Sequence, residues 1–473
     1  MKPLTGMSTA VTMPSDSTAA ATPTQLFTLG FGTIVGVGWV VALGTWIRQA
    51  GPIGTALSFA VGGAAISIVG LSYARVSRRH PGGGGEITYA LSTFGPRLAF
   101  VAGSVLFFTY VSVVGFLAIS AGSVMSMLIP YVAHSRVLYV VQGEPVRVGP
   151  VLIGLTGLCG LALLNLLGVY ATRRFQDWVT FILISCVIAF VAAALLRGNA
   201  ANLLPAFSSN RAQSDLAGFL TILGTTPFWL AGFNVVPQAL QSGVAQQSSR
   251  TAGRVIIASI LAAAAFKGSV TVATALCAPR ADVLASAFPL SLAFTRAFAS
   301  ARIGQGVTIV ALAGLLSSWN AVFFTSWRVL TSMRENHLIR ASSSRRSRAM
   351  GAPLGPLALT FVIGLLLTLG GRPFIGPIIS AGGSCFGLLF LLTCLVDWRE
   401  TRAQLPAHSW YRSPTLIVAG LGVCLSATMI VLSLDITDAY RSRELPLSWI
   451  LMLGLLIGTT ASALRIMPSR APR

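Results

Sequence analysis

Two apolar runs of this chain are interrupted by residues that do not sustain a helix, and each interruption exposes backbone chemistry. The first reads Gly30-Phe31-Gly32-Thr33-Ile34-Val35-Gly36-Val37-Gly38-Trp39. The second reads Gly224-Thr225-Thr226-Pro227-Phe228-Trp229-Leu230-Ala231-Gly232-Phe233. A helix broken at membrane depth frees N–H and C=O groups that lipid cannot satisfy, so such a break survives only where it lines a polar cavity. Paired breaks in corresponding segments point to a site for a small solute. The chemistry on offer is non-covalent. Gly36 and Gly38 admit close backbone approach, so Val35, Gly36, Val37 and Gly38 form the candidate cradle for a carboxylate, held by N–H donors at the positive end of a half-helix, with Ile34 beside them as a further substrate-binding candidate. Phe228, Trp229, Ala231 and Gly232 belong to the second break. Its freed carbonyls suit an ammonium, and Phe228 or Trp229 can cover a bound side chain. Taken singly, these residues have plainer roles: glycines let membrane helices pack closely, Pro227 alone is a kink, and the tryptophans alone are packing or interfacial groups.

Lys267 is the one charge expected deep within a span (Ile256 to Leu276). An ammonium at the bilayer centre costs a few kcal/mol on insertion scales. A buried lysine can titrate near neutral pH, which would let Lys267 carry a coupling proton and set the pH dependence of uptake. The competing reading is a side chain that snorkels or rests on backbone carbonyls. Asp177, Asp215, Glu335 and Asp397 fall at span ends or in loops, and His80, His134, His337 and His408 all fall in loops. A histidine relay is therefore not expected. The absence of a deep carboxylate favours a neutral over a cationic solute. An intramembrane enzyme would need His, Asp, Glu or a metal set facing a cavity, and the spans lack one.

The elements that must position these residues are membrane helices. Hydrophobic residues make up 54% of the 473, charged residues only 10%, and the mean hydropathy is +0.78; soluble domains carry roughly 25% charged residues. About twelve apolar runs of near-spanning length, about 20 residues, recur near 25–47, 52–74, 98–128, 149–170, 178–196, 216–240, 255–277, 303–328, 354–371, 374–396, 414–434 and 446–464. Residues 1–24 read as a disordered cytoplasmic tail, 25–400 as a core of two repeats (about 25–197 and 215–397), and 401–473 as helices 11 and 12 with a short cytoplasmic tail. The net charge of +21 follows from the positive-inside rule, with Arg75, Arg78, Arg79, Arg173, Arg174, Arg250, Arg254 and Arg340 to Arg348 on the side of both termini. Scattered over separate loops, these residues do not make a nucleic-acid surface. The expected place is the plasma or inner membrane, multi-pass. The six cysteines, none in a Cys-x-x-Cys pair, read as buried structural residues. The run Gly82 to Gly85 lacks the Lys-Ser/Thr and the strand of a phosphate loop. Ile87, Ala90, Leu91 and Phe94 after it share one face of a short helix expected at the lipid interface.

Five stretches together carry a resemblance. Thr33 to Trp39, His80-Pro81 through Tyr89 and Phe94-Gly95, Asn165-x-x-Gly168 with a basic pair, Phe228 to Phe233, and Ser317-Ser318-Trp319-Asn320 with Arg328-Val329-Leu330 resemble, in the right order, motifs of the amino acid–polyamine–organocation permeases. The resemblance covers most of 25–400. It implies an all-α, LeuT-like membrane fold of about twelve helices, a five-plus-five inverted repeat with helices 1 and 6 discontinuous, and a solute held between helices 1, 3, 6, 8 and 10. The implied activity is alternating-access transport of an amino acid or related amine, without a cofactor and coupled to H+ or Na+.

The chain departs from that pattern at three points, one being the run Pro237-Gln238-Ala239-Leu240-Gln241 where many members carry Ala-Glu-Glu at the end of helix 6. Many members have an acid after the Gly-Phe of helix 6, where Asn234 stands here. The pair of hydroxyls that sodium-dependent relatives place on helix 8 aligns with Leu316 and Ser317. Asn234, Ser317 and Ser318 join Lys267 as coupling candidates. A major-facilitator carrier is the alternative twelve-helix reading, disfavoured by the absence of a Gly-x-x-x-Asp-Arg-type loop and a long central loop. A sensor derived from a carrier is another. The oligomeric state is not legible.

Overall fold

The structure, a computed structural model, describes residues 22–36, 38–80, 85–167, 173–207, 215–236, 249–286, 288–339, 354–406 and 413–434. Most of the N-terminal tail, Val37, the first glycines of the Gly82 to Gly85 run, Gly168, the stretch after Val236, the Ser/Arg-rich loop after Ile339 and the apolar run 446–464 lie outside the described residues. Eleven of the twelve expected runs coincide with helices. Among the described residues, nine helices are long and apolar enough to cross a membrane.

Helix α1 (Pro23–Val35) starts on a capping box: Gln25 N donates to Thr22 Oγ1 at 3.3 Å, Thr22 N donates to Gln25 Oε1 at 3.0 Å, and Pro23 occupies the first turn. It stops at Gly36. Helix α2 (Gly38–Val41) resumes and bends at Ala42 into α3 (Leu43–Arg79). Inside α3, Gly51 has φ +75° and Pro52 follows, so the chain turns there and heads back across. A side chain at Gly51 would lie 2.7 Å from Ala206 O, which leaves only glycine room for this corner.

Next come α4 (Glu86–Phe94), α5 (Pro96–Leu128) and the single turn α6 (Pro130–Ala133). A two-stranded antiparallel hairpin follows, β1 (Val137–Val141) and β2 (Glu144–Arg147). It corrects the all-helical expectation locally. Gln142 and Gly143 both have positive φ, the requirement of a two-residue hairpin turn. Helices α7 (Val148–Leu167), α8 (Arg173–Arg197), α9 (Asp215–Leu230) and α10 (Ser249–Cys277) precede two short helices, α11 (Arg280–Ala285) and α12 (Pro289–Phe298). Then come α13 (Ala301–Glu335), α14 (Leu354–Leu369), α15 (Ile375–Ala403) and α16 (Pro414–Ser433).

Small residues set the packing between α3, α9 and α10. A Cβ on Gly62 would meet Thr226, one on Gly63 would meet Ala264, and one on Gly70 would meet Ile256. This is how membrane helices gain dispersion contact where lipid offers no hydrophobic drive. Helix α4 does not lie on lipid as its amphipathic pattern suggested. Ile87, Tyr89 and Ala90 are buried against α5 and α15. Only Cys385 and Cys394 are buried, whereas Cys159 and Cys424 are exposed, so the expectation of six buried cysteines holds for two.

The arginines closing α3 do more than mark a side of the membrane. Arg75 Nε donates to Asp397 Oδ2 at 2.9 Å, and Arg79 Nη1 donates to Asp397 Oδ1 at 3.2 Å. His80 Nε2 lies 2.7 Å from Glu400. The Asp397 side chain is fully buried, while Arg75 and Arg79 keep 15% and 20% of theirs exposed. Removing the shared carboxylate strands Arg75 and leaves Arg79 with the Glu400 carboxylate alone, at 3.5 Å. Asp397→Asn is therefore expected to lower stability by about 3 kcal/mol, the low end for a broken buried pair. Thermal unfolding in detergent checks this, and an unchanged midpoint would mean that water alone satisfies the arginines.

Candidate functional site

The two breaks predicted from sequence meet in space. Helix α1 ends at Val35 because Gly36 adopts φ +48° and ψ −144°, a conformation almost confined to glycine. Helix α9 runs through Pro227 without stopping. Pro227 has no N–H for the Leu223 carbonyl, and the Thr226 hydroxyl takes that carbonyl instead at 2.6 Å. The break therefore lies at Ala231 to Asn234, with Gly232 at φ +114°. This corrects the expected start at Phe228: Phe228 and Trp229 are still helical, and Ala231 and Gly232 are the unwound members. A side chain on Gly232 would stand 3.1 Å from Ile34 N and 3.0 Å from Thr33 Cγ2. The backbone of the second break thus presses directly on the end of the first.

A helix that stops leaves its last carbonyls without N–H partners. Three side chains from three other segments reach the carbonyls around this break. Lys267 Nζ, on α10 and fully buried, donates to Ile34 O at 3.0 Å and Val35 O at 3.5 Å. Ser318 Oγ, on α13, donates to Gly32 O at 3.3 Å. Trp39 Nε1 donates to Gly36 O at 3.1 Å. A cation at the negative end of a half-helix is also favoured by the helix dipole. Lys267 therefore sits on backbone carbonyls, one of the two roles its sequence position allowed. Ser318 of α13 thus reaches helix 1; the aligned Ser317 is also buried, and Leu316 is exposed.

The aromatic candidates divide. Trp229 covers Gly38, whose hypothetical Cβ would lie 2.7 Å from Trp229 Cε3, while Phe228 turns to Gly382 on α15, at 2.6 Å by the same measure. The ring over the cradle is thus Trp229. Trp46, Phe116 and Phe228 surround Trp229 at centroid distances of 5.1, 5.9 and 5.1 Å. The buried Trp229 Nε1 has no hydrogen-bond partner among the described residues, so it stands as a donor available beside the break. Val37 lies outside the described residues.

The resembling motifs also converge. Asn165 Nδ2 donates to Asn320 Oδ1 at 3.1 Å, and Trp327 Nε1 donates to Asn165 Oδ1 at 3.3 Å, joining α7 to α13.

Sequence reading missed one residue. Glu86, an acid outside the apolar runs, is 1% exposed at the start of α4. Tyr73 Oη donates to Glu86 Oε1 at 3.0 Å, and Asn234 Nδ2 donates to it at 3.2 Å and to Tyr110 Oη at 2.7 Å. A carboxylate is therefore buried against the helix 6 break after all. Its signal was an acid in the first turn of an amphipathic helix, but burial depended on α5 and α15, which the local pattern does not reveal.

The profile of the amino acid permease family matches residues 22–457. The branched-chain amino acid permease BcaP of Lactococcus lactis is 22% identical over 83% of this chain and 84% of its own. The aromatic amino acid transport protein AroP of Corynebacterium glutamicum is 26% identical over 65% of each. The amino-acid permease RocC of Bacillus subtilis is 25% identical over 43% of this chain, which spans only 39% of RocC. With a profile matched over nearly its whole length and both helix breaks in place, this multi-pass membrane chain belongs to the amino acid permease family of the amino acid–polyamine–organocation superfamily.

Proposed function

We propose that this protein is a secondary transporter of neutral amino acids, working by alternating access around the two helix breaks. The observation that carries the reading is the contact of Gly232 with Thr33 and Ile34, with Lys267 on the freed carbonyls of α1. A zwitterion needs an anion site and a cation site within its own length. The start of the second half-helix at Gly38, beside the Lys267 charge and the Trp229 indole N–H, supplies the first. The unwound carbonyls from Ala231 to Asn234 supply the second. The family points to amino acids, and two of the similar proteins are named for aromatic and branched-chain substrates, in keeping with the apolar rings of Trp229, Phe228 and Phe116. Lys267 already provides a tethered positive charge at the α1 carbonyls, where a free metal cation would be repelled. This favours the proton over sodium as the coupling ion. The termini face the cytoplasm by the positive-inside rule, in the plasma or inner membrane.

A thermal-shift screen of the purified protein against amino acids and amines, with and without sodium, tests this. Neutral amino acids are expected to raise the unfolding midpoint, by about 2.7 kcal/mol of stabilisation at a hundredfold excess over Kd, with no requirement for sodium. Stabilisation confined to cationic amines would reject the neutral class. Saturable binding without flux in proteoliposomes would make the protein a sensor instead.

A further inference from the structure

We propose that Glu86 is a proton-binding site through which the helix 6 break is coupled to proton movement across the membrane. This rests on the transport reading and names its coupling group.

Glu86 stands where three segments meet: α3 through Tyr73, α5 through Tyr110, and the turn after α9 through Asn234. No basic side chain pairs with it among the described residues. Arg75 and Arg79 at the end of α3 are held by Asp397, and His80 lies against Glu400. The remaining titratable groups on the packed elements are Tyr89 on α4 itself, Arg48 and Arg78 on α3, Arg97 on α5, and Cys385, Cys394, Asp397, Arg399, Glu400 and Arg402 on α15, with Arg399 held over the Phe94 ring at 5.2 Å. A carboxylate buried without a counter-cation has two ways to lower its cost. It can collect N–H and O–H donors, or it can take a proton. Burial raises the proton affinity of Glu86 above the ordinary carboxylate range, while the bonds from Asn234 and Tyr73 oppose that rise. The proton therefore binds as pH falls towards this raised value.

The neighbouring amide supplies the mechanical link. Asn234 Oδ1 is buried and accepts no hydrogen bond among the described residues. An amide has a donor end and an acceptor end, and rotation about its last bond exchanges them. With Glu86 ionised, Asn234 Nδ2 donates to the carboxylate and to Tyr110 Oη, as observed. With a proton taken from water onto Glu86, the new O–H needs an acceptor. Rotation brings Oδ1 to face both Glu86 and Tyr110, each of which then donates to it. Loading therefore reverses the hydrogen bonds of a residue two positions from Gly232, inside the break that would hold the solute. Release of the proton to the opposite side restores the first arrangement. Because linkage is reciprocal, a solute that favours one setting of the break must shift proton binding.

Two measurements on the full-length protein test this. Infrared titration of the purified protein, without substrate, is expected to show a protonated-carboxyl C=O band that Glu86→Gln lacks. Tyr73→Phe removes one donor and should move the titration midpoint of that band upward. In proteoliposomes with a trapped pH dye, Glu86→Gln should keep exchange of preloaded amino acid. Proton-driven accumulation should be lost, the inside-to-outside ratio falling to unity. Identical bands in wild type and Glu86→Gln, or an unmoved midpoint in Tyr73→Phe, would overturn the assignment even if Glu86→Gln proved too unstable for transport work. So would full proton-driven or sodium-driven accumulation by Glu86→Gln. Stabilisation of the wild type, but not of Glu86→Gln, by lysine or arginine would also overturn it, making Glu86 a substrate counter-ion. Absence of any amino acid flux in the wild type would defeat the transport reading, while the infrared titration would still decide the proton site.

Discussion

Lys267→Met is expected to weaken the ligand-induced thermal shift by a factor of about ten or more in apparent Kd, about 1.4 kcal/mol, and to destabilise the unliganded protein as well. The ammonium is the donor that reaches Ile34 O and Val35 O, at 3.0 and 3.5 Å, where α1 runs out of its own N–H groups. Methionine fills much the same volume and donates nothing. Each buried carbonyl left unmet costs about 1–3 kcal/mol. Relief from burying an ammonium offsets part of this, so a net loss near 2 kcal/mol is expected. The loss of affinity has a separate cause: the fixed positive charge beside the proposed carboxylate cradle disappears. Calorimetric or fluorescence unfolding with and without ligand measures both effects. A variant with wild-type ligand response would remove Lys267 from the site. Residual uptake at saturating substrate also separates the two buried ionisable groups. If Lys267 carries the coupling proton, the pH profile flattens in Lys267→Met. An unchanged profile at a lower plateau rejects that role for Lys267.

Gly38→Ala is expected to abolish the ligand response while leaving the protein folded. One methyl group at this position would lie 2.7 Å from Trp229 Cε3, and Trp229 cannot retreat freely because Trp46, Phe116 and Phe228 enclose it. Overpacking of this kind costs typically 1–3 kcal/mol. A larger side chain at Gly38 exaggerates the effect. Trp229→Leu should partly relieve it, so the double variant is expected to lose less stability than the two single losses added together. Strict additivity would show that Trp229 and Gly38 are not in contact. Gly36→Ala is a control with a different cause. No atom of the described residues lies within 4 Å of its hypothetical Cβ, but the positive φ makes any side chain there strained, at about 1–3 kcal/mol. Steric rescue by Trp229→Leu is expected for Gly38→Ala alone.

The sequence by itself determined that the chain crosses a membrane many times, where its helices begin and turn, and that helices 1 and 6 are interrupted. These follow from local properties: runs of apolar residues, a capping box at Thr22, the Gly51-Pro52 corner, and glycines that tolerate positive φ at 36 and 232. It also marked Lys267 as unusual, because charge in an apolar run is visible without coordinates. The tertiary structure decided what each interruption touches. Pro227 looked like the end of a helix, yet a neighbouring threonine hydroxyl carries α9 onward to Leu230. Phe228 and Trp229 are adjacent in the chain but point to different helices, so only packing separates a cover for the cradle from a contact with α15. Asp397 falls at a span end in the sequence and Glu86 lies outside the apolar runs, yet both are buried. Burial depends on which helices come to lie over a residue, and that is a property of long-range packing that no local periodicity encodes.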